Sequence, residues 1–244
     1  MKIAIAGSTG LIGSQLVALA RIEGHQIIGM SRETGVDLRH PNGLVEAFDG
    51  VDAVVDVTQS PTLDEDDATE FFTAVAGNLG RAASAAGVAR TVVLSIVGID
   101  DMPDYGYYVA KLAHERTTRE AAPGAQVLRA TQFHNFAGQM LEWSTQDGVA
   151  SIVDVPTQPV ATAEIVRLLL DLATGNVEGD VDLAGPQKIG LVEQVRRLVE
   201  QDGSDVRVEA VAAPASMAGG AMLPGPDALI RGISWDEWAA ARNS

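Results

Sequence analysis

With 244 residues, 46% of them hydrophobic, the chain is long enough for one large α/β domain with a substantial core. The absence of cysteine excludes disulfides, iron–sulfur clusters, thiolate zinc sites and Cys nucleophiles. A formal net charge of −16 argues against nucleic acid or an anionic membrane as partner, so any bound anion must be held by a local device.

Ile3–Ala6 reads as a strand that Gly7-Ser8-Thr9-Gly10 ends at once, too early for the apolar stretch of a signal peptide. A helix at Leu11–Glu23, a strand at Ile27–Met30, a short helix at Leu44–Phe48 and a strand at Ala53–Val57 follow. Helix Asp67–Ala86, strand Thr91–Leu94, helix Tyr107–Ala121 and strand Val127–Ala130 continue the alternation. Short β-branched runs without polar alternation mark strands covered on both faces. The pattern therefore predicts an α/β fold of the Rossmann type, with a doubly wound parallel sheet. The acidic run Asp64-Glu65-Asp66-Asp67 lacks the spacing of a calcium loop and fits a helix start, where acids complement the dipole.

Farther on, the pattern predicts a helix at Phe136–Trp143, a strand at Ile152–Val155, and helices at Ala163–Ala173 and Leu191–Gln201. Ala212–Pro226, rich in Ala, Gly and Pro, reads as a loop able to act as a flap. Ser234 opens a terminal helix anchored by Trp235 and Trp238. No repeat or linker divides the chain. The expectation is a single domain over 1–244, with its core in about 1–150 and a small C-terminal substrate-covering lobe in about 151–244. No run of about 18 apolar residues is present to span a bilayer, and a cytoplasmic location is expected.

The loop after the first strand carries Gly7, Gly10 and Gly13 and opens a helix. A pyrophosphate needs a tight turn, a backbone close enough to donate N–H groups, and a positive helix end. Gly7, Thr9, Gly10, Leu11, Ile12 and Gly13 are the candidates to hold a nicotinamide dinucleotide there; a glycine-rich βα turn without a ligand is the plain alternative. The strand Ile27–Met30 ends without a carboxylate and is followed by Ser31 and Arg32. That order favours NADP(H), with NAD(H) as the alternative, because an Arg at this place accommodates a 2′-phosphate. Glu33 would reverse the preference if the strand ran longer.

Tyr107 and Lys111 stand four apart on a predicted helix and so share a face. A phenol is a poor acid–base group near neutral pH, and a neighbouring ammonium favours its phenolate. The pair therefore suits carbonyl reduction, with Tyr107 giving the proton and Lys111 lowering its pKa and binding a ribose hydroxyl. A surface helix with a solvated Lys is the alternative. His25, His40, His114 and His134 show neither metal-ligand spacing nor a carboxylate partner at a useful interval, and no metal site is expected.

Gly-Ser-Thr-Gly-Leu-Ile-Gly, Tyr107/Lys111 and Leu128-Arg129-Ala130-Thr131-Gln132-Phe133 together resemble the short-chain dehydrogenase/reductases. More narrowly they resemble the atypical, NmrA-like or sugar-epimerase-like branch. The resemblance implies an NADP(H)-dependent oxidoreductase acting on a small carbonyl or quinone-like molecule. The same branch holds non-catalytic redox sensors, and epimerases or lyases that use bound cofactor transiently. Thr58 falls at the carboxyl edge of a strand, where open α/β sheets bind ligands and a cofactor contact is expected. The resemblance also implies adenine contacts from Asp37 and Leu38, a cofactor contact from Phe133, and a substrate pocket at Gln132, His134 and Asn135. Each of these last positions reads equally well as an ordinary strand exit or turn. The branch's catalytic hydroxyl falls near Leu94-Ser95-Ile96-Val97, where Ser95 is the available residue. Ser95 reads equally well as a strand-end serine bonded to backbone.

Overall fold

The computed structural model describes residues 1–242. In chain order its elements begin with β1 (Lys2–Ala6), α1 (Leu11–Ile22), β2 (Gln26–Met30), α2 (Leu44–Ala47) and β3 (Ala53–Asp56). There follow α3 (Glu65–Ala85), β4 (Arg90–Ile96), α4 (Gly106–Ala121), β5 (Ala125–Ala130) and α5 (Phe136–Ser144). Next come β6 (Thr145–Gln146), β7 (Val149–Val153), β8 (Pro156–Thr157), α6 (Thr162–Thr174), β9 (Val181–Ala184) and β10 (Ile189–Gly190). The last are α7 (Leu191–Gln201), β11 (Arg207–Val211), α8 (Ala215–Ala218), β12 (Leu229–Ile230) and α9 (Trp235–Ala241).

Two compact units form. The first comprises Met1–Arg129 and Ala163–Val181, the second Ala130–Thr162 and the chain from Asp182 onward. The division thus does not fall near residue 150: the chain leaves the first unit at the end of β5, and most of α6 belongs to it again.

In the first unit the strands run in the order β5-β4-β3-β1-β2. β1 pairs in parallel with both β2 and β3, and β3 in parallel with β4. Ile3, Ala4, Ile5 and Ala6 are all buried, as a central strand with both faces covered requires. The strand order reverses between β1 and β3, and open α/β sheets bind ligands outside the strand ends at such a point. Helix α1 stops at Gly24, whose φ of 81° is the left-handed conformation that ends helices without a Cβ penalty. Asp64 caps α3 by accepting from the Asp67 amide at 3.1 Å, the role its acidic run predicts. Phe48, Met30, Leu44, Val75 and Leu79 pack under this part of the sheet.

In the second unit β7 lies between β6, antiparallel, and β11, parallel. β12 runs parallel to β9 and β10 antiparallel to β8. β7 starts three residues before the expected strand at Ile152–Val155. β11 was not expected, although Val206-Arg207-Val208-Glu209 alternates apolar and charged residues as a half-exposed strand does. The flap expected at Ala212–Pro226 is tied down by α8 and by the buried Met217 and Met222. Ser234 and Glu237 form a reciprocal capping box on α9. The indole of the fully buried Trp235 donates to the His134 carbonyl at 3.1 Å.

Candidate active site

The three glycines of the first loop do different work. Gly7 has φ +81°, and a Cβ there would stand 2.8 Å from the Val57 carbonyl oxygen at the end of β3. On Gly13 a Cβ would stand 2.1 Å from the Gly7 carbonyl oxygen, so α1 approaches its own loop through the missing side chain. Gly10 is unlike both: its backbone is extended and a Cβ would meet nothing nearer than Gly7 O at 3.4 Å. Gly10 is the N-cap of α1 and supplies no side-chain cap. The first-turn amides, Leu11 and Ile12 among them, therefore receive no acceptor from the N-cap side chain, and Thr9 and Leu11 are exposed beside them. This open, uncapped N-terminus fits a dinucleotide pyrophosphate.

Past β2, which ends at Met30, the chain turns through Ser31–Thr34. The Ser31 amide donates to Thr34 Oγ1 at 2.8 Å, and the Thr34 amide donates to Ser31 Oγ at 3.2 Å. Arg32 and Glu33 are exposed in this turn, so Glu33 stands beyond the strand end. Asp37 is engaged by Arg39, whose Nε and second guanidinium nitrogen donate at 3.1 and 2.7 Å, and His40 lies 3.3 Å away. The Arg39 hydrogen bonds hold the Asp37 carboxyl well below its ordinary range. The Leu38 carbonyl accepts from the buried Asn78 at 3.0 Å, which pins the backbone there.

Helix α4 brings the acid–base candidates beside α3. Gly106 permits this, since a Cβ there would stand 2.7 Å from Glu65 Cβ. Tyr107 is half-buried and lies edge-on to Phe72, with ring centroids 5.8 Å apart. Lys111 is buried, with Nζ 4.6 Å from the Phe72 centroid. Its ammonium donates to the Leu94 carbonyl at 2.8 Å and contacts His114 Nδ1 at 2.8 Å. His114 Nε2 lies 2.9 Å from Asp56 Oδ2, and Asp56 Oδ1 accepts from both the amide and the hydroxyl of Thr58, at 2.9 and 2.7 Å.

The electrostatics correct one expectation. Burial, with a smaller effect from Tyr105, pushes the Tyr107 phenol up to about 12; Lys111 does not pull it down, because its ammonium is directed at Leu94 and His114. Burial brings Lys111 down to about 8 against the opposing pull of Asp56 and Glu115. The histidine expectation is corrected as well: His114 does have a carboxylate partner, at the end of β3, and is an interior residue of the site. Thr58 is therefore tied to Asp56 rather than free at the sheet edge. Ser95 lies inside β4, is buried, and its hydroxyl has no hydrogen-bond partner among the described residues, so the backbone bond weighed for it does not form.

In the second unit, Phe133 bridges Val160, and Gln132 donates through Nε2 to the Met222 carbonyl at 3.3 Å. His134 Nε2 bonds the Pro159 carbonyl at 3.2 Å, which makes Nδ1 its acceptor nitrogen. Among the described residues, Gln132 Oε1, His134 Nδ1 and Asn135 Oδ1 are buried without a partner. All three are acceptors in this arrangement, and a ligand bearing hydroxyl or N–H groups would complete them.

Parallel strands reversing at β1 and β3, with an uncapped glycine turn leading into α1, define a Rossmann-class α/β protein. The model of the NAD dependent epimerase/dehydratase family matches residues 3–136, more than half of the chain, and the chain belongs to that family. It is 26% identical over 230 residues to a dTDP-4-dehydrorhamnose reductase of Mycolicibacterium smegmatis, covering 84% of this chain and 70% of that one. Among solved structures it resembles dTDP-4-dehydrorhamnose reductase of Bacillus anthracis in complex with NADP, with TM-score 0.77, 16% identity, and 98% and 97% of the two chains covered. It also resembles an NADPH-dependent quinone oxidoreductase of Escherichia coli complexed with NADPH, with TM-score 0.78, 15% identity, and 99% and 100% covered. At these identities the structural likeness speaks for the fold. No helix of the described residues is long and apolar enough to cross a membrane.

Proposed function

We propose that this protein is an NADP(H)-dependent oxidoreductase, with NAD(H) as the weaker cofactor, that reduces a carbonyl on a small molecule. The observation that carries the reading is the pair on α4: a half-buried tyrosine one helical turn from a buried lysine. Both sit in a chain whose relative in sequence is a reductase by name, and whose structural neighbours include reductases by name beside an epimerase. We further propose that the chain is of the NmrA-like branch.

The amides of the Gly7–Gly13 loop and the start of α1 would hold the pyrophosphate, and Ser31 and Arg32 a ribose 2′-phosphate. Asp37, Leu38, Thr58 and Phe133 are proposed as further cofactor contacts, although Asp37 and Thr58 already have protein partners. When bound, the nicotinamide supplies hydride. The chain supplies the proton: a Tyr107 phenol pushed up to about 12 is protonated at neutral pH, so it acts as an acid and favours the reductive direction. Lys111 gives two of its three N–H donors to Leu94 and His114, and the third is the one proposed to reach a ribose hydroxyl. Gln132, His134 and Asn135 are proposed substrate contacts, and their unpartnered acceptors favour a substrate carrying hydroxyl or amide donors over a plain quinone.

The test is NADPH oxidation against hydroxylated carbonyl compounds, including nucleotide-linked keto sugars, and against quinones, with Tyr107→Phe in parallel. Stoichiometric oxidation that the variant abolishes supports the reading. Turnover without net oxidation points to an epimerase or lyase. Tight NADPH binding with no turnover on any substrate points to a cofactor sensor, a role with which the buried, unpartnered Ser95 is compatible.

A further inference from the structure

Burying an ammonium requires a counter-charge or loss of its proton, and Lys111 is only 4% exposed. The groups around it are few. β4 offers the Leu94 carbonyl and α3 the Phe72 ring. On α4 itself stand Tyr107, His114 and Glu115, but Glu115 is already held by the Arg129 guanidinium at 2.9 and 2.8 Å, and Arg129 also pairs with Asp100. β3 offers Asp56, whose carboxylate reaches Lys111 through the His114 ring.

The proton assignment follows from donor chemistry. Lys111 has only donors, so His114 Nδ1 accepts, and Nε2 then carries the hydrogen and donates to Asp56. His114 is thus neutral, in keeping with burial and the Lys111 charge, which both push its ring below the ordinary value. Burial works to raise the Asp56 carboxyl, and the hydrogen bonds it accepts from His114 and from the Thr58 amide and hydroxyl hold it down. Phe72 stacks on the His114 ring with centroids 4.6 Å apart and fixes its plane.

We propose that Asp56 and His114 are a positioning pair for Lys111: the carboxylate, acting through a neutral histidine, keeps the lysine charged and aims its remaining donor at the ligand. This rests on the reading of Tyr107 and Lys111 as the working pair, and it adds two residues, 58 apart in sequence, that touch neither substrate nor cofactor in the scheme.

The test is nitrogen-15 NMR on the full chain without cofactor, following the His114 ring nitrogens and the Lys111 ammonium through a pH titration. The wild type is expected to hold His114 as the Nε2-protonated neutral tautomer at pH 7, a measurement that needs no variant. Asp56→Asn is expected to move the Lys111 titration down by about one pH unit, the size of a unit charge one imidazole away at the effective dielectric of a protein site. His114→Gln, which can still accept and donate, is expected to restore part of what His114→Phe loses. A doubly protonated His114 at pH 7 overturns the proposal, as does an unmoved Lys111 titration in folded Asp56→Asn. The two readings separate cleanly. A shifted Lys111 with full turnover in Tyr107→Phe sinks the acid assignment and leaves the pair standing. An unshifted Lys111 with a dead Tyr107→Phe does the reverse.

Discussion

At the end of β1 the chain offers backbone and almost no side chain, whereas on α4 it offers buried side chains whose hydrogen bonds are largely taken. The loop achieves its shape by omission: Gly7 and Gly13 let backbone meet backbone, and Gly10 leaves space. The α4 region achieves its shape by commitment, with Lys111, His114, Asp56 and Thr58 joined in one chain of hydrogen bonds. An anion is met by amides that need no partner in advance. An ammonium buried beside an aromatic ring has to be provided for before any ligand arrives. Changes in the loop should therefore act on binding, and changes on α4 on charge and turnover.

The sharpest break of this contrast comes within the loop. Gly10→Val should abolish NADPH binding by calorimetry and leave thermal unfolding near wild type, because its Cβ has room and its backbone suits a branched residue. Gly13→Ala should instead lower stability by roughly 1–3 kcal/mol or more, since its Cβ would overlap the Gly7 carbonyl. Normal NADPH affinity in Gly10→Val would remove the loop from the cofactor site.

Tyr107→Phe should cut turnover by about 10²–10⁴-fold while NADPH affinity stays unchanged, the range typical of a lost general acid. Near-normal turnover would show that the phenol is a packing residue against Phe72.

Arg32→Ala should weaken NADPH binding by about ten- to a hundred-fold, as loss of charge-assisted bonds does, and leave NADH binding alone. The exposed turn after β2 makes the change safe for the fold. Wild-type preference for NADH would defeat the assignment.

The smallest effect is on pH dependence. Lys111 falls to about 8 in the folded chain from an ordinary 10.5, so between these values the unfolded chain binds more protons and stability from this group rises with pH. Below pH 8 the full burial penalty is present. Turnover that needs the ammonium falls over the same interval, so stability and activity should move in opposite directions between pH 8 and 10. Denaturant midpoints and initial rates at matched pH check this, and parallel movement would exclude Lys111 as the source.

Much of the first unit was legible because its signals are local. Short β-branched runs, a glycine turn straight after β1 and helical spacing in α1, α3 and α4 each follow from backbone sterics within a few residues. The i,i+4 relation of Tyr107 and Lys111 was legible for the same reason. The contribution of His114 was not, since its carboxylate lies 58 residues away and meets it only where β3 ends beside α4. Two local signals were missed: Arg39 two residues from Asp37, and the alternation of charged and apolar residues in β11.

What the sequence determined by itself was the order of elements and the place of the glycine turn, because periodicity and the missing Cβ act on neighbours in the chain. Only the tertiary structure decided the charge state of the candidate site. Burial, rather than proximity along α4, raises the Tyr107 phenol, and a carboxylate from another strand supports the Lys111 ammonium. Desolvation and through-space charge depend on what surrounds a group in three dimensions, and that environment exists only once the strands and helices have packed.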